Sequence, residues 1–379
     1  MSRLSHVCYL ILTAGMFLAG VQLCENSLCA QGADSQAVNI VTVDGVKIKG
    51  YFYAGKATAP TVIMLHPVGE GKSIKSQDWK RLATTLNQKG AGYSVMMFDF
   101  RGHGDSTSVD PDLFWTEPFN KKLVKSKVKD EIDVKEYIKS PMYLPVLVND
   151  IAAVKAYLDR LHDKGTCNTS NTIVIGADNG ATLGAIWINS EWNRYRYKVT
   201  PSAVVGGKPK VTVDKNAEGM DIIAAVFLTI SPDLSATRKV NVPNILANAC
   251  KVRGMGATFF YGENDAKAKD FANMLESKLK PKDKEGKTAK KYDFIGTVKM
   301  PKTNLSGMKL LQESLETDKT ILEYLDGVVA DRSNEYIERD SQNATYIWQL
   351  SPKTPPISAK KNKGDKNLNF NDYNQFIPQ

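Results

Sequence analysis

The chain has 379 residues, 42 % of them hydrophobic and 24 % charged, and carries a formal charge of +9. That length predicts one large or two medium domains with a sizeable core, and the composition excludes wholesale disorder and a polytopic membrane protein. The count of 4 histidines is lean, and 5 cysteines are too few and too scattered for a disulfide scaffold.

Residues 1–30 have the layout of a secretory signal peptide. Arg3 supplies a positive start, 7–21 is apolar but short for a membrane span, and Ala30 is a small residue at the expected cleavage point. The reading is a secreted or periplasmic, bacterial protein with no transmembrane span after cleavage; an uncleaved anchor is the alternative. Cleavage removes Arg3 and Glu25 together, so the net charge is unchanged. It also removes His6, Cys8, Cys24 and Cys29. Cys167 and Cys250 remain, either paired or as two solitary buried thiols.

The stretches 38–43 and 46–53 flank Asp44-Gly45, a strong hairpin signal. A continuous apolar run at 61–65 suits a strand buried on both faces. An amphipathic helix follows at 77–89, with Trp79, Leu82, Ala83 and Leu86 on one face. Strand 93–98 comes next, and then a lysine-rich, proline-broken excursion over 107–142 that reads as a functional or disordered loop. Helix 146–162, strand 172–175 and helix 181–188 resume the pattern. A second polar excursion covers 193–219. Strand 222–230, strand 257–261, helix 268–279, strand 294–299 and helix 318–329 complete it. The polar, Lys/Asn-rich stretch 352–379 reads as a disordered tail. A hairpin followed by alternating strands and helices predicts an α/β domain over 31–351. Its sheet would be mostly parallel, with about eight strands and helices on both faces.

In such sheets ligands sit beyond the carboxyl ends of the strands. Those ends read His66-Pro67-Val68-Gly69-Glu70-Gly71, then Asp99-Phe100-Arg101-Gly102-His103-Gly104-Asp105-Ser106. Gly176-Ala177-Asp178-Asn179-Gly180 and Gly262-Glu263-Asn264-Asp265 follow. In this order and spacing they resemble the α/β-hydrolase superfamily over about 38–350. The resemblance implies a strand–turn–helix elbow framed by Gly176 and Gly180, with Asp178 where most members carry Ser. Some branches do use Asp there. Asp265 matches the family's acid. The oxyanion donors would be the backbone N–H groups of Asn179 and Val68, since Pro67 has none.

The departure is the base. The family's His follows the last strand, where this chain reads Lys299-Met300-Pro301-Lys302-Thr303-Asn304-Leu305-Ser306-Gly307. Three histidines remain after cleavage. His66 and His103 are candidate displaced bases, although in the family both positions brace loops. His162 closes a helix, where a cation suits the helix dipole. A Ser nucleophile needs a base, and an Asp nucleophile needs one to hydrolyse its ester. The plainer account makes Asp178 a polar filler whose carboxylate accepts N–H bonds at the helix start. The expectation is a pseudoenzyme of hydrolase-like architecture that binds a small molecule or an anionic envelope polymer. The alternative is a hydrolase of esters or of alkyl- or epoxide-type substrates, using Asp178, Asp265 and a displaced base.

Other chemistries have less support. The His/Cys spacing offers no metal site, and no cofactor is implied. Gly69-Glu70-Gly71-Lys72-Ser73 lacks the upstream glycine of a phosphate loop, which would fall at His66. Lys121, Lys122, Lys125, Lys127 and Lys129 form a local basic patch, joined in the tail by Lys360, Lys361, Lys363 and Lys366. It suits an anionic polymer or plain solubility. Aromatic residues are not interleaved as single-stranded nucleic-acid sites need, so no nucleic-acid partner is expected.

Overall fold

A computed structural model describes residues 35–193, 195–200, 210–281, 285–332 and 336–337. The signal peptide and the polar tail expected from the sequence lie outside these residues, as does part of the second excursion. The main sheet comprises β1 (Gln36–Val41), β2 (Lys47–Tyr53), β3 (Pro60–Leu65), β4 (Ser94–Phe98) and β5 (Asn168–Ala177). It continues with β6 (Ile222–Leu228), β7 (Gly256–Gly262) and β8 (Ile295–Met300), in the spatial order β1-β2-β4-β3-β5-β6-β7-β8. β2 runs antiparallel to both β1 and β4, and every other pairing is parallel. This is an α/β-hydrolase-like fold with the eight strands the sequence predicts.

Position in the sheet follows from side-chain pattern. Every residue of β3, β4, β6 and β7 is buried, as central strands covered on both faces require. The outer strand β1 alternates, burying Val38 and Ile40 while Val41 stays exposed. Helix α1 (Gln77–Gln88) buries Trp79, Leu82, Ala83 and Leu86 as its periodicity requires. Four more long helices follow: α2 (Val148–Asp163), α3 (Asp178–Asn193), α4 (Ala266–Leu279) and α5 (Thr317–Asp331). Cys167 and Cys250 are free and buried, and burial pushes both thiols up to about 12. Among the described residues no helix is long and apolar enough to cross a membrane.

Two expectations are corrected. The 107–142 excursion is a packed segment with short helices at Pro111–Phe114 and Pro118–Leu123. It is ordered because it delivers Phe114, Val124, Ile132, Val134 and Tyr137 to the core. The second excursion, without period in the sequence, contains an antiparallel pair, Tyr195–Thr200 with Lys210–Ala217.

A buried ion cluster ties the first excursion to the sheet. Arg101, fully buried, donates from Nη1 to Asp44 at 2.7 Å and from Nη2 to Asp150 at 2.6 Å. Asn120 donates to Asp44 (2.8 Å) and Tyr143 donates to Asn120 (2.7 Å). Burial raises the Asp44 carboxyl, but the Arg101 charge and side-chain bonds from Arg101, Thr42 and Asn120 outweigh it and hold the group below its usual value. Asp44, read from sequence as a turn residue, is therefore a core anion.

Candidate functional site

The elbow is built at the end of β5. Asp178 sits at φ 50, a left-handed conformation rare outside glycine, although Asp and Asn tolerate it better than most residues. The flanking glycines are required by contact. A Cβ on Gly176 would lie 2.6 Å from the Ala181 Cα, and one on Gly180 would overlap the His66 carbonyl. The sharp turn places the Asp178 side chain at the head of α3, above the sheet.

The carboxyl of Asp178 is mostly buried and accepts no hydrogen bond from the described residues. The filler account is thereby corrected: the helix-start amides are not its partners. Burial pushes the group up to about 6, against the opposing pull of the Lys72 and Lys309 charges. The carboxyl points at Gly307, which follows β8 at φ 56. A Cβ at 307 would overlap all three atoms of the Asp178 carboxyl group. The residue facing the elbow from the loop after β8 thus has no side chain.

The amide of Val68 has a partner already. It donates to Asn179 Oδ1 at 2.7 Å, while Asn179 Nδ2 donates back to the Val68 carbonyl at 2.9 Å. This reciprocal pair clamps the loop after β3 onto the head of α3. An oxyanion at the elbow would have to compete with it for the Val68 N–H.

Both candidate displaced bases brace loops. His66 is fully buried: Nδ1 bonds the Pro67 carbonyl (2.7 Å) and Nε2 accepts from the Phe100 N–H (3.1 Å). Accepting at Nε2 places the ring proton on Nδ1. Burial, with His103 nearby, lowers its pKa to about 3, so the 3.8 Å approach of Asp99 is to a neutral ring. His103 accepts the Gly69 N–H at Nε2 (3.0 Å) and bonds the Arg101 carbonyl through Nδ1 (2.9 Å). Burial lowers it too. His162, expected as a helix-end cation, is instead buried, accepting the Thr169 N–H at Nδ1 (3.0 Å) and bonding the Ile337 carbonyl through Nε2 (3.0 Å). Asp265 caps α4, its Oδ1 accepting the Ala268 N–H at 3.0 Å.

The structure thus gathers Asp178, Asn179 and Val68 at one place. Lys72, Lys309 and Gly307 join them although no motif marked their roles. Lys72 belongs to the Gly69–Ser73 stretch, and its charge acts on the Asp178 carboxyl. Among the described residues no group of three or more His, Cys, Asp or Glu is placed to hold a metal ion.

No family model matches the chain. A stretch of 80 residues is 38 % identical to a thiohydrolase of Aspergillus aculeatus, spanning 20 % of this chain and 24 % of that protein. Among solved structures, a Pyrococcus furiosus esterase is 16 % identical over 78 % of this chain and 91 % of its own, with a TM-score of 0.46. A lidless α/β serine hydrolase from Xanthomonas campestris is 13 % identical over 77 % and 94 %, with a TM-score of 0.42.

Proposed function

We propose that this is an exported α/β-hydrolase-fold protein that binds through the strand-end face without turning over a substrate. The observation that carries the reading is the pairing of Asp178 with Gly307. The carboxyl fills the space that a side chain at 307 would need, so the departed nucleophile and the missing base are one steric unit. Two further features support it. The Val68 N–H is committed to Asn179, and both nitrogens of His66 and of His103 are committed to backbone partners. The partner would be a small molecule or an anionic envelope polymer reaching the exposed lysines of 121–129.

One observation favours the hydrolase alternative. Asp178 is strained and unpartnered, as residues held for chemistry often are. Without a base, however, an ester on Asp178 would form once and remain. The test is to incubate the mature protein with ester, thioester, epoxide and haloalkane panels, alongside Asp178→Ala. Multiple turnovers that vanish in the variant would overturn the reading. No turnover, or a single-turnover adduct on Asp178 seen by mass spectrometry, agrees with it.

A further inference from the structure

A second feature of the strand-end face is a cavity of about 500 Å³ at the carboxyl ends of β6 and β7. That is within the range of small-molecule sites. Its walls are apolar: Ile230 and Pro232 come from the chain leaving β6, and Phe271 and Met274 from one stripe of α4. Phe271 and Met274 are only half-buried, so this face of α4 packs on the core yet remains open to the cavity.

The polar groups in the lining differ in their commitments, and the Ser231 Oγ already accepts the Asp233 N–H at 3.1 Å. Asp265 is held by the Ala268 N–H, and Lys267 pairs with Asp233 at 3.3 Å. Asp270 stands exposed at the rim. Two hydroxyls are uncommitted among the described residues. Ser306 lines the cavity, half-buried, with no bond from its Oγ. Thr229 carries a shielded Oγ1 without a partner, and its φ of 53 is a genuine outlier for a β-branched residue. A χ1 rotation exchanges that hydroxyl with its methyl.

We infer that this cavity binds a small neutral molecule made of an apolar ring or chain with one hydroxyl or carbonyl, the polar group meeting Ser306 or Thr229. A neutral ligand follows from the charges in the lining. Lys267 and Asp270 are exposed, and Lys267 already pairs with Asp233. The half-buried Asp265 has one oxygen taken by its own helix, so among the described lining residues no fully buried charge is set in the cavity to hold an ion. The inference goes beyond the loss of turnover, because the same cavity would serve whether or not Asp178 reacts.

The probes are 2-naphthol and naphthalene, titrated by fluorescence against the mature full chain. In the wild type both bind saturably, and 2-naphthol binds about fivefold more tightly, as one net hydrogen bond gives. Ser306→Ala or Thr229→Val abolishes that preference while leaving naphthalene unchanged. Phe271→Ala weakens both probes about tenfold. Should that variant not fold, Met274→Glu, which sets a charge in the half-open wall, is read instead and weakens both by at least as much. No saturable binding overturns the inference, as does binding that survives both wall variants or a preference that survives both hydroxyl variants. Because the titration reads no turnover, its failure leaves the non-catalytic reading standing, and turnover at Asp178 would leave the cavity's ligand class standing.

Discussion

The Asp178 carboxyl gives the sharpest test, because an isosteric change removes its charge and leaves the elbow in place. Its folded value of about 6 lies above the ordinary 3.8, so the folded chain holds that proton more tightly than the unfolded chain. The penalty for burying the charge is therefore absent below about pH 4, grows between about 4 and 6, and is complete above 6. The gap of about two pH units corresponds to roughly 3 kcal/mol, an upper figure because the carboxyl still meets some water. Asp178→Asn keeps a residue that tolerates the left-handed backbone and discards the ionisation. The variant is expected to be more stable than wild type at pH 8 by about 2–3 kcal/mol, or roughly 5 °C in Tm. The advantage should shrink towards zero at pH 4. Urea unfolding of both proteins from pH 4 to 8 measures this directly. An advantage of equal size at both ends of the range, or none at pH 8, would refute burial of the charge as the cause.

Three further outcomes follow from the same geometry. Gly307→Ala should cost more than about 2 kcal/mol by overlap with the carboxyl; in an Asp178→Ala background only the left-handed backbone penalty, about 1 kcal/mol, should remain. A double-mutant cycle in urea showing no coupling would separate the two positions. Asn179→Ala leaves the Val68 N–H and carbonyl unpaired and should lose about 1–2 kcal/mol, with no esterase activity appearing on release of the amide. Arg101→Ala strands Asp44 and Asp150 in the core and should cost about 3–5 kcal/mol by chemical denaturation; a loss under 1 kcal/mol would show water reaching the cluster.

Much of this was legible in the chain. Strand and helix periods are local, so runs such as those of β3 and β6 announced buried parallel strands and placed four strand ends in order. The elbow glycines were legible for the same reason, since Gly176 and Gly180 stand beside the residue they serve. The shortage of histidines was a matter of counting.

What no local pattern carries is a contact between distant segments. Asn179 reaches Val68 across 111 positions, and Arg101 gathers Asp44 and Asp150 from 57 and 49 positions away. The excursion at 107–142 looked structureless because its order comes from the core it packs against, not from its own periodicity. Four histidines in 379 residues left few candidate bases from the outset. Only the tertiary structure decided that the His66 and His103 rings are neutral braces, that His162 bonds backbone groups, and that Asp178 faces a residue with no side chain. Those outcomes depend on burial and on which atoms the packed sheet ends bring within hydrogen-bond reach.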